Sequence, residues 1–209
     1  RAVLEHAHGA CMRVPGAATA VLALARGRTL CVANLGDSGV RLLRDGKVVR
    51  ASRQQQHYWD CPYQFGSASS DHASDAELLE AEMQEGDVVV LASDGVYDNV
   101  FDREIEGLVY GETGTDRAPA ETAAAIAEAL TSLARRRSLD TERDSPYSLG
   151  AIDAGVELGL LDRLMGKKIT GGKVDDTTAV VAVVEAAEVP AGAGADAEEV
   201  VEAPKPDDL

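Results

Sequence analysis

The chain has 209 residues, of which 45% are hydrophobic and 27% charged, and its formal net charge is −16. That length suits one domain with a tail. The negative surplus excludes non-specific nucleic-acid binding, because phosphates attract Lys and Arg, and no apolar run is long enough to span a bilayer.

Aromatic residues make up only 4% of the chain, which leaves the core to Val, Leu, Ile and Ala. Cys11, Cys31 and Cys61 are odd in number and lack CxxC spacing. They read as small buried side chains in a reducing compartment, not as zinc ligands.

Residues 1–10 read as the end of a helix entered in the middle, with no initiator Met and no signal-peptide pattern. The expectation is a fragment or a processed form. His6 and His8 stand two apart, which does not face them together on a helix, and they read as solvated surface residues. Residues 16–52 predict an antiparallel β-meander, with strands at 19–25, 29–34, 39–44 and 47–50. Asp45-Gly46 marks its last hairpin, because a type I′ turn needs positive φ at both central residues. Consecutive short strands argue against a Rossmann-like alternation.

Residues 54–65 hold Tyr58, Trp59, Tyr63 and Phe65 together with Pro62. This mixture predicts a loop or an edge. It either faces a substrate, with His57 as the candidate contact, or simply covers the sheet. Residues 71–82 are acidic and read as exposed, with Asp75 placed to cap a short helix.

Val88-Val89-Val90-Leu91-Ala92 predicts a strand buried on both faces, opened by the turn-like Glu85-Gly86-Asp87. It ends in Ser93-Asp94-Gly95, with Asp98 four residues beyond Asp94. A carboxylate at the end of a buried strand is costly unless it holds a cation or a hydrogen-bond network.

Residues 101–110 follow a helical rhythm. Residues 119–137 give the clearest helix, with Pro119 and Glu121 in its first turn and three arginines in its last. Ser145-Pro146 opens a looser helix, expected to run to about residue 165 and interrupted by glycines. Gly171-Gly172 is a turn, and residues 178–184 form a last buried strand. From residue 187 to residue 209 the composition shifts to Ala, Gly, Pro and acids, which predicts a disordered acidic tail behind a domain of residues 1–186.

Asp37, Asp94, Asp98, Asp175 and Asp176 share a local grammar: each follows an apolar strand or flanks a glycine turn. One Asp beside a Gly is usually a turn cap. Three strand-edge acids in one small domain point to a shared site. Carboxylates without His or Cys suit Mg²⁺, Mn²⁺ or Ca²⁺. Two such ions acidify a bridging water and clamp a phosphoryl oxygen.

Four segments resemble the metal-dependent protein phosphatases of type 2C, in that family's order: residues 33–39 (Ala-Asn-Leu-Gly-Asp-Ser-Gly), 54–58 (Gln-Gln-Gln-His-Tyr), 93–99 (Ser-Asp-Gly-Val-Tyr-Asp-Asn) and 171–178 (Gly-Gly-Lys-Val-Asp-Asp-Thr-Thr). With Ser145-Pro146-Tyr147, they resemble most the branch found in mitochondria and plastids. The resemblance implies an α+β, four-layer α-β-β-α sandwich of two antiparallel sheets flanked by helices. It implies hydrolysis of phosphoserine and phosphothreonine by a metal-activated water, with two or more Mg²⁺ or Mn²⁺ ions.

Carried over by position, Asp94 and Asp175 resemble ligands of the binuclear centre, and Asp37 a ligand of a weaker third metal. Asp98, Asp176 and Gly95 are supporting or extra-metal candidates. A phosphoprotein substrate, a monomeric state and residence in a mitochondrion or chloroplast follow from the same resemblance, with the cytoplasm as the alternative.

The sequence also departs from the pattern. The family's upstream Asp-Gly-x-Gly-Gly segment and basic phosphate-binding residue are not among these residues, whose only Asp-Gly pairs are Asp45-Gly46 and Asp94-Gly95. The first strands of the sandwich are therefore expected to be missing. Gly16-Ala17-Ala18-Thr19 stands where the family has Gly-Ser-Ser-Thr. Two other functions compete: a pseudophosphatase that binds phosphoproteins without turnover, and a serine protease suggested by Gly36-Asp37-Ser38-Gly39.

Overall fold

The computed structural model describes residues 2–67, 69–159, 164 and 168–186. The acidic tail at 187–209 lies outside the described residues, and the helix expected from 145 to about 165 is shorter: it ends at Asp153, the chain turns at Gly155 (φ 75°), residues 156–159 are irregular, and 160–163 and 165–167 lie outside the described residues. In chain order the elements are α1 (Ala2–Cys11), β1 (Ala17–Ala18), β2 (Ala20–Arg26), β3 (Thr29–Leu35), β4 (Gly39–Arg44), β5 (Lys47–Ala51), β6 (Gln56–Tyr58), β7 (Cys61–Pro62) and β8 (Phe65–Gly66). A single 3₁₀ turn (Ala73–Asp75) leads to β9 (Glu77–Glu82), β10 (Val88–Ala92), α2 (Asp94–Tyr97), α3 (Asp102–Thr113), α4 (Pro119–Ser138), α5 (Pro146–Asp153) and β11 (Ala179–Val183).

Two antiparallel sheets dominate. One has the order β2-β3-β9 and the other β11-β10-β4-β5. The expected meander is thus divided. β2 and β3 form one hairpin, β4 and β5 another, and the two hairpins lie in different sheets. The chain changes sheets through Gly36-Asp37-Ser38. Gly36 has φ +103°, and a Cβ there would stand 2.5 Å from both a Thr19 side-chain carbon and the Tyr63 carbonyl oxygen. Alternation along a strand reports which face is apolar but not which sheet the strand joins, so the split is invisible in the pattern. The Asp45-Gly46 turn is as expected, with φ of 50° and 70°.

The acidic segment before β10 is a strand over Glu77–Glu82 and not an exposed stretch, while the short helix expected at Asp75 is the 3₁₀ turn Ala73–Asp75. Glu77, Leu79 and Ala81 are half-buried while Leu78, Glu80 and Glu82 face outward, and the strand pairs with β3 over six residues. Its charges hid a period of two. Asp75 does accept a hydrogen bond from the His72 main chain, at 2.8 Å, but within the 3₁₀ turn. The 54–65 region is built from the small β6–β7 hairpin and from β8, which pairs with β1. His8 also departs from expectation, since it stacks on Phe65 with ring centroids 5.0 Å apart instead of standing free in solvent.

Four layers result. Leu30, Val32, Val40, Leu42, Met83 and Val89 fill the space between the sheets. On the outer face of the larger sheet, Leu43, Val88, Val90 and Ala92 pack against Ile105, Val109, Ile126, Leu130 and Ala134 of α3 and α4. On the outer face of the smaller sheet, Ala33 and Leu35 pack against Leu4 of α1, Phe65 and Ala76. β10 explains its own sequence. Val88, Val90 and Ala92 face the helices while Val89 and Leu91 face the other sheet, so every position is apolar. Burying one such side chain contributes about 1.5–3 kcal/mol.

Candidate metal centre

The site forms where β3 and β10 end on the same side of the sandwich. β10 stops at Ala92, and Ser93 begins the single turn of α2, placing Asp94 and Asp98 one helical turn apart on one face. The 171–178 segment folds across this end. Ser93 locks it there: its Oγ donates to the Asp176 carbonyl at 3.1 Å and accepts from the Thr178 amide at 3.1 Å. Gly95 is required for that approach, because a Cβ at this position would stand 2.3 Å from the Asp176 carbonyl oxygen.

The acids converge on one cation. The Nζ of Lys173 lies 2.9 Å from Asp60, 3.1 Å from Asp94, 3.3 Å from Asp98 and 3.6 Å from Asp175. The ammonium also stands 5.5 Å from the centre of the Tyr147 ring. Asn99 holds the lysine's main chain, its Nδ2 donating to the Lys173 carbonyl and its Oδ1 accepting from the Lys173 amide, both at 2.9 Å. Ser145 donates to the Gly171 carbonyl at 2.6 Å, and the Tyr147 amide donates to the Asp98 carbonyl at 2.9 Å, so the start of α5 braces both sides of the site.

Burial and charge shape the titration of these groups. Desolvation chiefly, with the neighbouring Asp94 charge, pushes Asp98 up to about 7 even against the pull of Lys173. Desolvation and Asp94 also raise Asp37, which is 4% exposed. Burial alone would lower Lys173, but the hydrogen bond to Asp60 and the charges of Asp98 and Asp94 outweigh it and hold the ammonium well above the ordinary lysine value.

Of the residues singled out in the sequence, Asp94, Asp98 and Asp175 are brought together directly. Asp37 is buried and interacts with Asp94, Lys173 and Asp60 through their charges. Asp176 contributes through its backbone, while its side chain is exposed. His57 is engaged elsewhere: its Nε2 lies 2.9 Å from Asp71, and its ring stacks on Tyr63 at 4.2 Å. The residue of that hairpin which reaches the acids is Asp60, at a turn position with φ 60°.

Asp60 and Lys173 were both missed as site residues. Lys173 stands inside a motif already singled out, and its charge among acids was the available signal. Ser38 pairs with Thr19, 2.7 Å away, and not with a histidine, which removes the geometric support for a protease.

The donor set is all oxygen, so its chemistry suits a hard divalent cation. Its negative charge also exceeds what one lysine neutralises. Among the described residues, no three acidic, His or Cys side chains are arranged to share one ion. The Lys173 ammonium stands where their oxygens converge.

Comparison with known proteins agrees with this architecture. A sequence model described as Protein phosphatase 2C matches residues 4–137. The chain belongs to the protein phosphatase 2C family. It is 44% identical over 171 residues to Probable protein phosphatase 2C 26 of Arabidopsis thaliana, covering 81% of this chain and 55% of that protein. It is 38% identical over 197 residues to Probable protein phosphatase 2C 1 of Oryza sativa subsp. japonica, covering 94% of this chain and 57% of that one.

The chain thus spans somewhat over half the length of these curated protein phosphatase 2C relatives. Among solved structures it is similar to the photosystem II phosphatase PBCP, with TM-score 0.77 and 35% identity over 88% of this chain and 70% of that one. The catalytic domain of the serine/threonine phosphatase PstP, solved with two manganese ions, shares the protein phosphatase 2C fold at TM-score 0.52 and 21% identity, over 81% of this chain and 60% of that one.

Proposed function

We propose that this chain carries part of the catalytic centre of a metal-dependent serine/threonine protein phosphatase. The observation that carries the reading is the convergence of Asp60, Asp94, Asp98 and Asp175 on one cation at the end of the two-sheet sandwich. Asp94 and Asp175 are the residues assigned to hold divalent ions, with Asp37 and Asp98 as further oxygen donors. Mg²⁺ or Mn²⁺ suits an oxygen-only set. The two manganese ions described for the PstP domain favour Mn²⁺ as the ion to test first. When bound, such ions supply a water acidified for attack and neutralise charge on the phosphoryl group.

The chain's own residues position and desolvate this chemistry. Ser93 and Gly95 hold the 175–177 segment against α2, which keeps Asp175 beside Asp94. Asn99 fixes the strand of backbone that delivers Lys173. Asp37 and Asp98 are buried, so charge interactions at those two carboxylates are stronger than in water, while Asp60 and Asp175 remain exposed.

The test is phosphate release from a phosphothreonine peptide by the full-length chain. Activity should require Mn²⁺ or Mg²⁺ and should vanish with EDTA. Activity that survives EDTA would sink the proposal. The likeness to a photosystem II phosphatase also supports residence in a plastid over a mitochondrion. A fluorescent fusion of the full-length protein found outside plastids would refute that part.

A further inference from the structure

Trp59 is the chain's single tryptophan, and it stands one residue before Asp60, which reaches the acid cluster. We propose that Trp59 is a positioning residue: its indole seats on α5 in the space left by Gly150, and this seat, not the pairing within the β6–β7 hairpin, sets Asp60 in the cluster. The seat is a matter of packing alone, while its effect on turnover rests on the phosphatase reading above.

Three observations carry it. First, the hairpin does not hold its own tip. β6 and β7 share two cross-strand pairs, Gln56 with Pro62 and Tyr58 with Cys61, with an irregularity between them. Pro62 has no amide to donate, and a two-stranded hairpin is marginal by itself. Second, the indole is fitted to α5. Its ring centre lies 4.9 Å from that of Tyr147, with the planes tilted by 43°. A Cβ on Gly150 would stand 2.5 Å from Trp59 Cζ3 and 2.9 Å from Cη2. Gly150 is inside α5, and its φ is not positive. Glycine weakens a helix interior relative to alanine, so this one is explained by the ring it admits and not by its backbone.

Third, the platform beneath the ring is tied to the acid cluster. Ser145 Oγ donates to the Gly171 carbonyl at 2.6 Å, and the Tyr147 amide donates to the Asp98 carbonyl at 2.9 Å. Asp60 follows the indole at φ 60°, a left-handed conformation that Asp tolerates better than most residues. With 41% of its side chain exposed, Asp60 is held only as firmly as the backbone that carries it. Trp59 therefore fixes this carboxylate from outside the cluster.

The experiment reads the fluorescence of this tryptophan in the full-length chain, unsubstituted and as Gly150→Ala. The added methyl should expel the indole, moving its emission to longer wavelength and making it more readily quenched by acrylamide. Emission and quenching unchanged in a folded Gly150→Ala variant overturn the seat. Trp59→Ala supplies a second readout that does not depend on Gly150. Cys61, half-buried beside Asp60, should be alkylated several-fold faster, whereas Cys11 and Cys31 should keep their rates. An unchanged Cys61 rate overturns the seat. Faster alkylation at all three cysteines shows general loosening in place of a local seat and overturns it as well.

Turnover of a phosphothreonine peptide in the presence of Mn²⁺ separates positioning from general support. Trp59→Ala and Asp60→Asn should each lower kcat/KM by about tenfold. The double variant should lose no more than the worse single one, because both changes act through the same carboxylate. Losses that multiply in the double variant overturn the route through Asp60. No turnover by the unsubstituted protein overturns the phosphatase reading instead, and the fluorescence still decides the seat.

Discussion

Asn99 grips Lys173 by both main-chain groups: Nδ2 donates to its carbonyl and Oδ1 accepts from its amide, each at 2.9 Å. The same Nδ2 also donates to the Gly95 carbonyl at 3.0 Å, so one buried amide ties α2 to the loop that supplies Lys173 and Asp175. The residue is 1% exposed, and water does not compete for these bonds. The site therefore depends on Asn99 although its side chain has no charge to offer.

Asn99→Ala should cost about 2–3 kcal/mol, because it leaves buried backbone donors and acceptors unsatisfied. Urea unfolding followed by circular dichroism measures this directly. Asn99→Asp should also be destabilising, since a carboxylate cannot donate to the Lys173 and Gly95 carbonyls. A midpoint unchanged in both variants would show that the clamp contributes nothing.

Asp94→Asn and Asp175→Asn should each lower phosphopeptide turnover by about 10²-fold or more. Both preserve side-chain shape, so far-ultraviolet dichroism should match the unsubstituted protein. Near-normal turnover in either variant contradicts its assignment to the metal centre.

Gly95→Ala tests the fit of two backbones. Its Cβ would fall 2.3 Å from the Asp176 carbonyl oxygen and 3.3 Å from the Thr177 Cα, neither of which is a flexible side chain. The 175–177 segment must retreat. Faster amide exchange across 173–178 and a loss of turnover of about tenfold or more are expected. Exchange and activity both unchanged would mean the segment is not held as described.

Asp87 should govern part of the acid stability. Its carboxylate is buried against Arg44, with both oxygens 2.8 Å from guanidinium nitrogens, and it accepts from the Gln84 amide at 2.8 Å. Burial pushes its carboxyl up, but the bonds from Arg44 and Gln84 outweigh this and hold it below the ordinary value of 3.8. A depressed carboxyl stabilises the fold fully above the unfolded-state value and loses that contribution as pH falls through the folded value. Unfolding midpoints should therefore drop more steeply below about pH 4 in the unsubstituted protein than in Asp87→Asn. Parallel acid limbs would assign the pH dependence to other groups.

Much of this molecule is local in origin and was readable as such. The unbroken Val88–Ala92 run required a strand with two apolar neighbours, and it lies between β4 and β11. The i, i+4 series Ile126, Leu130, Ala134 required a helix with one buried stripe. Asp45-Gly46 required a type I′ turn, and both residues have positive φ. Asp94 and Asp98, four apart at the end of a strand, were already a pair. These features depend on backbone sterics and on side-chain period, which act over a few residues.

Tertiary structure alone decided the rest. It separated β2–β3 from β4–β5 by turning the chain at Gly36, and it recruited the acidic segment Glu77–Glu82 as a strand because β3 had an edge to pair. It also set Lys173 against Asp60, 113 positions away in the chain, and against Asp94, 79 positions away. Charges attract through space without regard to sequence distance: the acids beside Lys173 in its own motif marked it, but no local pattern could show that Asp60 and Asp94 reach it. The sequence by itself determined the acids, the strands that end in them and the family they signal. Packing of the two sheets decided which of those acids meet, and that their common partner is an ammonium from the same chain.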